Sequence, residues 1–177
     1  MKRKGVQVSA LVGVFLCGLA ALAVAAQDKY DVKVPNGLAF SEFRGYESWQ
    51  NVATSVTDDR VKIIAGNPAM IAAYYDGFPG NGKAIPDGAV LSKVQWARTP
   101  SPDFPDKVSV PGDLKEVEFM VKDSKRFPDT HGWGYAEFTY DAASGTFSPL
   151  GTGAKCGNTC HTRAAARDYV FTAYHAR

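Results

Sequence analysis

Three cysteines, three histidines and three methionines in 177 residues leave little material for a metal cluster or a disulfide framework. Charge of one sign is equally scarce. Twenty basic side chains stand against 18 acidic ones, a formal +2, without the dense positive footprint that a phosphate backbone requires. Nucleic acid is therefore not an expected partner. There is no internal repeat, low-complexity tract or long charge run, so the turn-rich stretches Gly77–Gly88 and Thr99–Gly112 read as loops within one domain. What is present suffices for a core: 45% of residues are hydrophobic and 21% charged, a balance that argues against disorder. The length fits one domain, since single domains run to roughly 100–200 residues.

The first 26 residues differ from the rest. Lys2, Arg3 and Lys4 precede an apolar run from Val6 to Val24 that closes on Ala25 and Ala26, before the polar Gln27-Asp28. A basic start, an apolar middle and an A-x-A-like end make residues 1–26 a secretory signal peptide and 27–177 the mature domain. The alternative is a membrane anchor, because the run approaches the roughly 20 residues that span a bilayer. Cys17 follows the bulky Leu16 and leaves with the signal. Export implies a periplasmic, oxidising location in which the two remaining cysteines, Cys156 and Cys160, have to be weighed as a disulfide.

Patterning predicts an α+β fold, mainly an antiparallel sheet with short flanking helices. Two β-branched runs between Trp49 and Ala65, separated by Asp58-Asp59, predict a hairpin. Asn67 then offers an N-cap, Pro68 the first helical position and Gly77 a stop, which predicts a helix over Ala69–Tyr75. Ala89–Trp96 reads as a strand with Val90, Val94 and Trp96 on one face and Leu91, Lys93 and Gln95 on the other. Leu114–Lys122 mirrors it, with Val117, Phe119 and Val121 opposed to Leu114, Glu116, Glu118 and Met120. Gly134–Tyr140 is a further strand, followed by a turn at Ala143-Ser144-Gly145 towards Phe147, and Ala164–Ala166 leads into a short C-terminal helix.

The chemistry concentrates near the C-terminus. Cys156-Gly157-Asn158-Thr159-Cys160-His161 places two thiols and an imidazole within six residues. Thiols add across the two vinyl groups of haem, and a histidine directly after the second cysteine is delivered to the iron as an axial ligand. One covalently attached haem c is the cofactor expected, held by Cys156, Cys160 and His161, although three residues separate the cysteines where two are usual. Zinc would find only three ligands here. An electron-carrying cytochrome would add a methionine on the other side of the iron, yet none follows His161, and Met70 and Met120 lie far upstream. His131 sits in a Gly-rich turn and His175 among the last residues. With nothing to close the sixth position, the iron is open to small molecules such as nitrogen oxides or hydroxylamine.

At this point the sequence resembles the cytochrome P-460 family. The likeness rests on Pro86-Asp87-Gly88 leading to Lys93, on Glu118 followed by Val121-Lys122-Asp123-Ser124-Lys125-Arg126-Phe127, on Gly132–Tyr140, and on Cys156–His161 with Asp168-Tyr169-Val170-Phe171-Thr172. It spans most of the chain after Tyr46. The resemblance implies a homodimer and a five-coordinate haem with His161 as proximal ligand. It implies a cross-link from Lys93 to a porphyrin meso carbon, with Glu118 as the distal carboxylate that takes protons from hydroxylamine. It also implies oxidation to nitric oxide or nitrous oxide, with electrons passed to an external acceptor such as a small cytochrome. Related cytochromes c′ of the beta type lack the cross-link and bind nitric oxide or carbon monoxide in an apolar pocket without turnover. Phe40, Phe43, Tyr74, Tyr75 and Phe78 are candidates to line the distal side, with membership of the core as the alternative for most of them.

Overall fold

A computed structural model describes residues 27–35, 37–150 and 153–175, with side chains absent from the description over 153–156. The expected signal peptide, Cys17 included, lies outside the described residues. No helix among those described is long and apolar enough to cross a membrane.

Six strands form one antiparallel meander in which each pairs with the next: β1 (Gln50–Val56), β2 (Arg60–Gly66), β3 (Val90–Pro100), β4 (Ser109–Lys122), β5 (Trp133–Asp141) and β6 (Thr146–Pro149). The β1–β2 hairpin turns at Asp58-Asp59 as its composition predicts, closed by the Thr57 N–H donating to the Arg60 carbonyl at 2.9 Å. Helix α1 (Pro68–Tyr75) begins where Asn67 Oδ1 accepts from the Met70 N–H at 2.9 Å. The same oxygen accepts from the Val90 N–H at 3.0 Å, which ties the start of α1 to β3. At the far end Gly77 turns the chain with φ +96°, a conformation open to glycine at little cost.

Three expectations change. The β3 and β4 strands run on to Pro100 and from Ser109, so much of the loop expected over Thr99–Gly112 is a long hairpin arm. Register irregularities beside Trp96 shift the pleat there, and Leu114, expected beside Glu116 and Glu118, packs instead with the core on the opposite face. The C-terminal element also differs. Helix α2 (Gly153–His161) contains the cysteine motif itself, whereas Thr162–Arg167 is only 3-10 helix and the chain beyond it is irregular.

The alternation of side chains along the strands gives the sheet two unlike faces. One carries Val117, Phe119 and Phe138, covered by the N-terminal segment through Leu38, Phe40 and Phe43. There the Phe43 ring stacks on Phe119 with centroids 4.0 Å apart, and Phe40 meets Phe138 at 4.7 Å. Burial of each such ring contributes about 1.5–3 kcal/mol. The other face holds Met70, Trp133 and Val170 in a second core beneath α1, and beside that core it opens into a cavity.

Candidate functional site

The cavity measures about 550 Å³, within the range of small-molecule and cofactor sites. Its floor is the sheet. Leu91 and Lys93 of β3, Glu118 and Met120 of β4, and Tyr135 and Glu137 of β5 line it, while Gly157, Cys160 and His161 of α2 close one side.

Lys93 and Glu118 are direct partners across β3 and β4, and Lys93 Nζ lies 2.5 Å from Glu118 Oε2. The two residues that sequence patterning set on one sheet face thus meet as an ion pair inside the cavity, each partly shielded from water. Gln95 donates to Glu116 at 2.9 Å and also to Glu118. On the next strand Glu137 stands opposite Glu118, so one oxygen from each of Glu116, Glu118 and Glu137 falls within 4.8 Å of the others. Burial pushes the Glu137 carboxyl up to about 7, reinforced by the negative charges of Glu118 and Glu116 and opposed by Lys93. Within this cluster Glu137 is the group that keeps a proton near neutral pH.

Positions 156 and 160 of α2 are four apart, hence on one face of the helix. The extra residue in the spacer therefore keeps both thiol-bearing positions on the same side. Cys160 carries a free, exposed thiol, whereas the Cys156 side chain lies outside the described residues. Helical positions four apart hold their Cβ atoms about 5–6 Å apart, beyond the roughly 3.5–4.5 Å of a disulfide, so the helix does not favour a bridge between these positions. Helix α2 can lie against β5 because Gly157 has no side chain: a Cβ there would meet Tyr135 Cγ at 2.4 Å.

His161 is half-buried between the rings of Tyr135 and Phe171, with centroids 5.0 and 4.9 Å away. Its Nδ1 lies 2.7 Å from the Tyr169 carbonyl oxygen, which can only accept, so Nδ1 carries the hydrogen and Nε2 keeps its lone pair. Burial holds the His161 pKa below its ordinary value, against the Tyr169 carbonyl that favours the charged ring; Lys93 adds to the lowering and Glu118 opposes it. A neutral imidazole with Nδ1 engaged and Nε2 available is the form in which histidine binds iron.

These residues fit a haem. The cavity combines a free thiol, an imidazole lone pair and apolar walls, and its rim exposes Leu150 and Phe171 to 39% and 45% of their surface, apolar area that a flat hydrophobic group would cover.

A family model described as Cytochrome P460 matches residues 43–172. The chain belongs to the cytochrome P460 family. Cytochrome P460 membership implies a haem cofactor and iron binding, in a protein of the hydroxylamine-oxidising kind. Among curated proteins none matches the chain.

The structure places the remaining candidates. Phe40 and Phe43 belong to the core on the opposite sheet face, Tyr74 and Phe78 to the second core, and Tyr75 is exposed. None of the five lines the cavity, whose aromatic side chains include Tyr135 and Phe171. His131 stacks on Tyr169 at 4.4 Å, outside the cavity lining, and Met70 is core, but Met120 does line it. The apolar alternation Ala136, Phe138, Tyr140 marks the core side of this strand and carries no sign of Glu137 on its other side. Reading the other side, Tyr135 and Glu137, reveals a carboxyl in register with Glu118.

Proposed function

We propose that this chain is a periplasmic haem protein that oxidises hydroxylamine, using one haem c held by Cys156, Cys160 and His161. The observation that carries the reading is the Lys93–Glu118 pair, 2.5 Å apart in the same cavity as His161 and Cys160. A bound haem would supply the redox centre that takes the electrons of hydroxylamine, three with three protons for nitric oxide, on their way to an external acceptor such as a small cytochrome. The chain's own residues do the rest. His161 would hold the iron through Nε2, oriented by the hydrogen bond from Nδ1. Glu118 accepts protons as the amine is oxidised. Glu137, with its affinity near neutrality, takes them on from Glu118. Lys93 would hold the edge of a bound haem through a carbon–nitrogen bond, which would replace an N–H and a C–H, with a peroxide-class oxidant taking the two electrons. The reading includes a homodimer.

The optical spectrum of the purified holoprotein tests this. A cross-linked porphyrin shows a strongly red-shifted ferrous Soret band that returns to an ordinary c-type position in Lys93→Arg, and Glu118→Gln keeps its haem while slowing hydroxylamine oxidation. An ordinary Soret band unchanged in Lys93→Arg removes the cross-link. One observation favours a second reading: Lys93 Nζ is engaged by Glu118 Oε2 at 2.5 Å, a contact that the amine would have to leave to bond to carbon. Without the bond the apolar cavity serves a gas-binding protein for nitric oxide or carbon monoxide, and the same spectrum, with no hydroxylamine turnover, identifies it.

A further inference from the structure

Two residues in segments that carry the family likeness, Lys122 and Asp168, have no part in the chemistry above. The fold joins them. Lys122, at the end of β4, is buried with its side chain 7% exposed, and its ammonium lies 2.9 and 3.1 Å from the two oxygens of Asp168, itself 15% exposed. Asp168 also accepts from the Ile85 N–H at 2.8 Å and from the Trp133 indole at 3.3 Å. Lys122 donates further to the His131 carbonyl at 3.1 Å. A carboxylate with four donor contacts from three separate parts of the chain is fixed in place.

The backbone at this point explains why fixing is needed. Asp168 and Tyr169 have φ of 43° and 65°, two consecutive residues other than glycine in the left-handed region. Each such residue costs on the order of 1 kcal/mol or more and persists only where its surroundings hold it. The carbonyl of Tyr169, set by this turn, is the one that accepts from His161 Nδ1.

We propose that Lys122 and Asp168 are positioning residues for His161: the buried pair clamps the left-handed Asp168-Tyr169 turn, which aims the Tyr169 carbonyl at Nδ1 and so sets the orientation and basicity of the imidazole that faces the haem. The inference rests on the reading of His161 as the iron ligand. Neither residue touches the cavity, and their effect passes through one backbone carbonyl.

The experiment uses holoprotein carrying Asp168→Ala, with resonance Raman of the ferrous iron–histidine stretch and potentiometry of the ferric/ferrous couple. A looser Nδ1 hydrogen bond makes the imidazole a poorer donor, so the stretch moves to lower frequency. The preference for ferric iron falls about tenfold, which raises the potential by ~59 mV for one electron. Should Asp168→Ala not fold, the neutral pair Lys122→Met with Asp168→Asn keeps the shape and loses the charges, and the same two shifts are expected in smaller measure. A haem-loaded variant that folds with both the stretch and the potential of wild type overturns the positioning role alone. A wild-type protein that stains for no haem on a denaturing gel overturns the haem reading and this inference with it.

Discussion

Replacing Glu137 with glutamine removes a titrating group and keeps its size. In the folded protein the Glu137 carboxyl holds its proton up to about pH 7, whereas the unfolded chain releases it near the ordinary 4.5. Between these values the native state binds more protons than the unfolded one, so its stability falls as pH rises and levels off above 7. Moving a carboxyl across that interval corresponds to roughly 3.4 kcal/mol at 1.36 kcal/mol per tenfold. Glu137 is only half-buried, and solvent screening reduces this to about 1–2 kcal/mol. Lys93, Glu118 and Glu116 face the same carboxyl and remain in the variant. Urea unfolding of wild type and Glu137→Gln between pH 5 and 9 reads the effect directly. The variant gains about 1–2 kcal/mol relative to wild type on going from pH 5 to pH 8.5, a midpoint difference of roughly 0.5–1 M urea at an m-value near 2 kcal/mol/M. Two pH profiles that run parallel across the whole range would refute the claim that Glu137 keeps a proton near neutrality.

Gly157→Ala introduces a Cβ 2.4 Å from Tyr135 Cγ, a contact that forces α2 away from β5. The expected outcome is a loss of about 1–3 kcal/mol in urea unfolding, together with reduced haem staining per mole of protein. Phe40→Ala, on the far side of the sheet, should cost about 3–5 kcal/mol in the same assay while leaving the haem spectrum of the folded fraction at its wild-type position. A shifted spectrum there would show that the two sheet faces are coupled.

The sheet was legible in the sequence because its information is local. Strand alternation at 90–96 and 117–121, the Asp58-Asp59 turn and the Asn67-Pro68 helix start each act over a few residues, and the fold preserves them. Lys93 and Glu118 were legible for the same reason: equal spacing from their apolar neighbours puts both on one face, and antiparallel pairing then brings them together. What could not be read depends on register and on contacts between distant segments. The irregularity beside Trp96 that moves Leu114 is set by how two strands settle against each other. The Asp168-Tyr169 turn, with two left-handed residues that no local preference favours, exists because Lys122, 46 positions away, supplies a buried partner. Glu137 became visible only when its strand was laid beside Glu118.

Glu118 lies between Val117 and Phe119, neighbours that sink into the opposite core. A single-residue deletion upstream in that strand would exchange the frames, driving acids into the phenylalanine layer and rings into the cavity. Swaps at 93, 95, 116, 118 and 137 disturb no such parity. In this architecture new reactivity is therefore accessible through substitution at those positions, while the number of residues in the central strands stays locked.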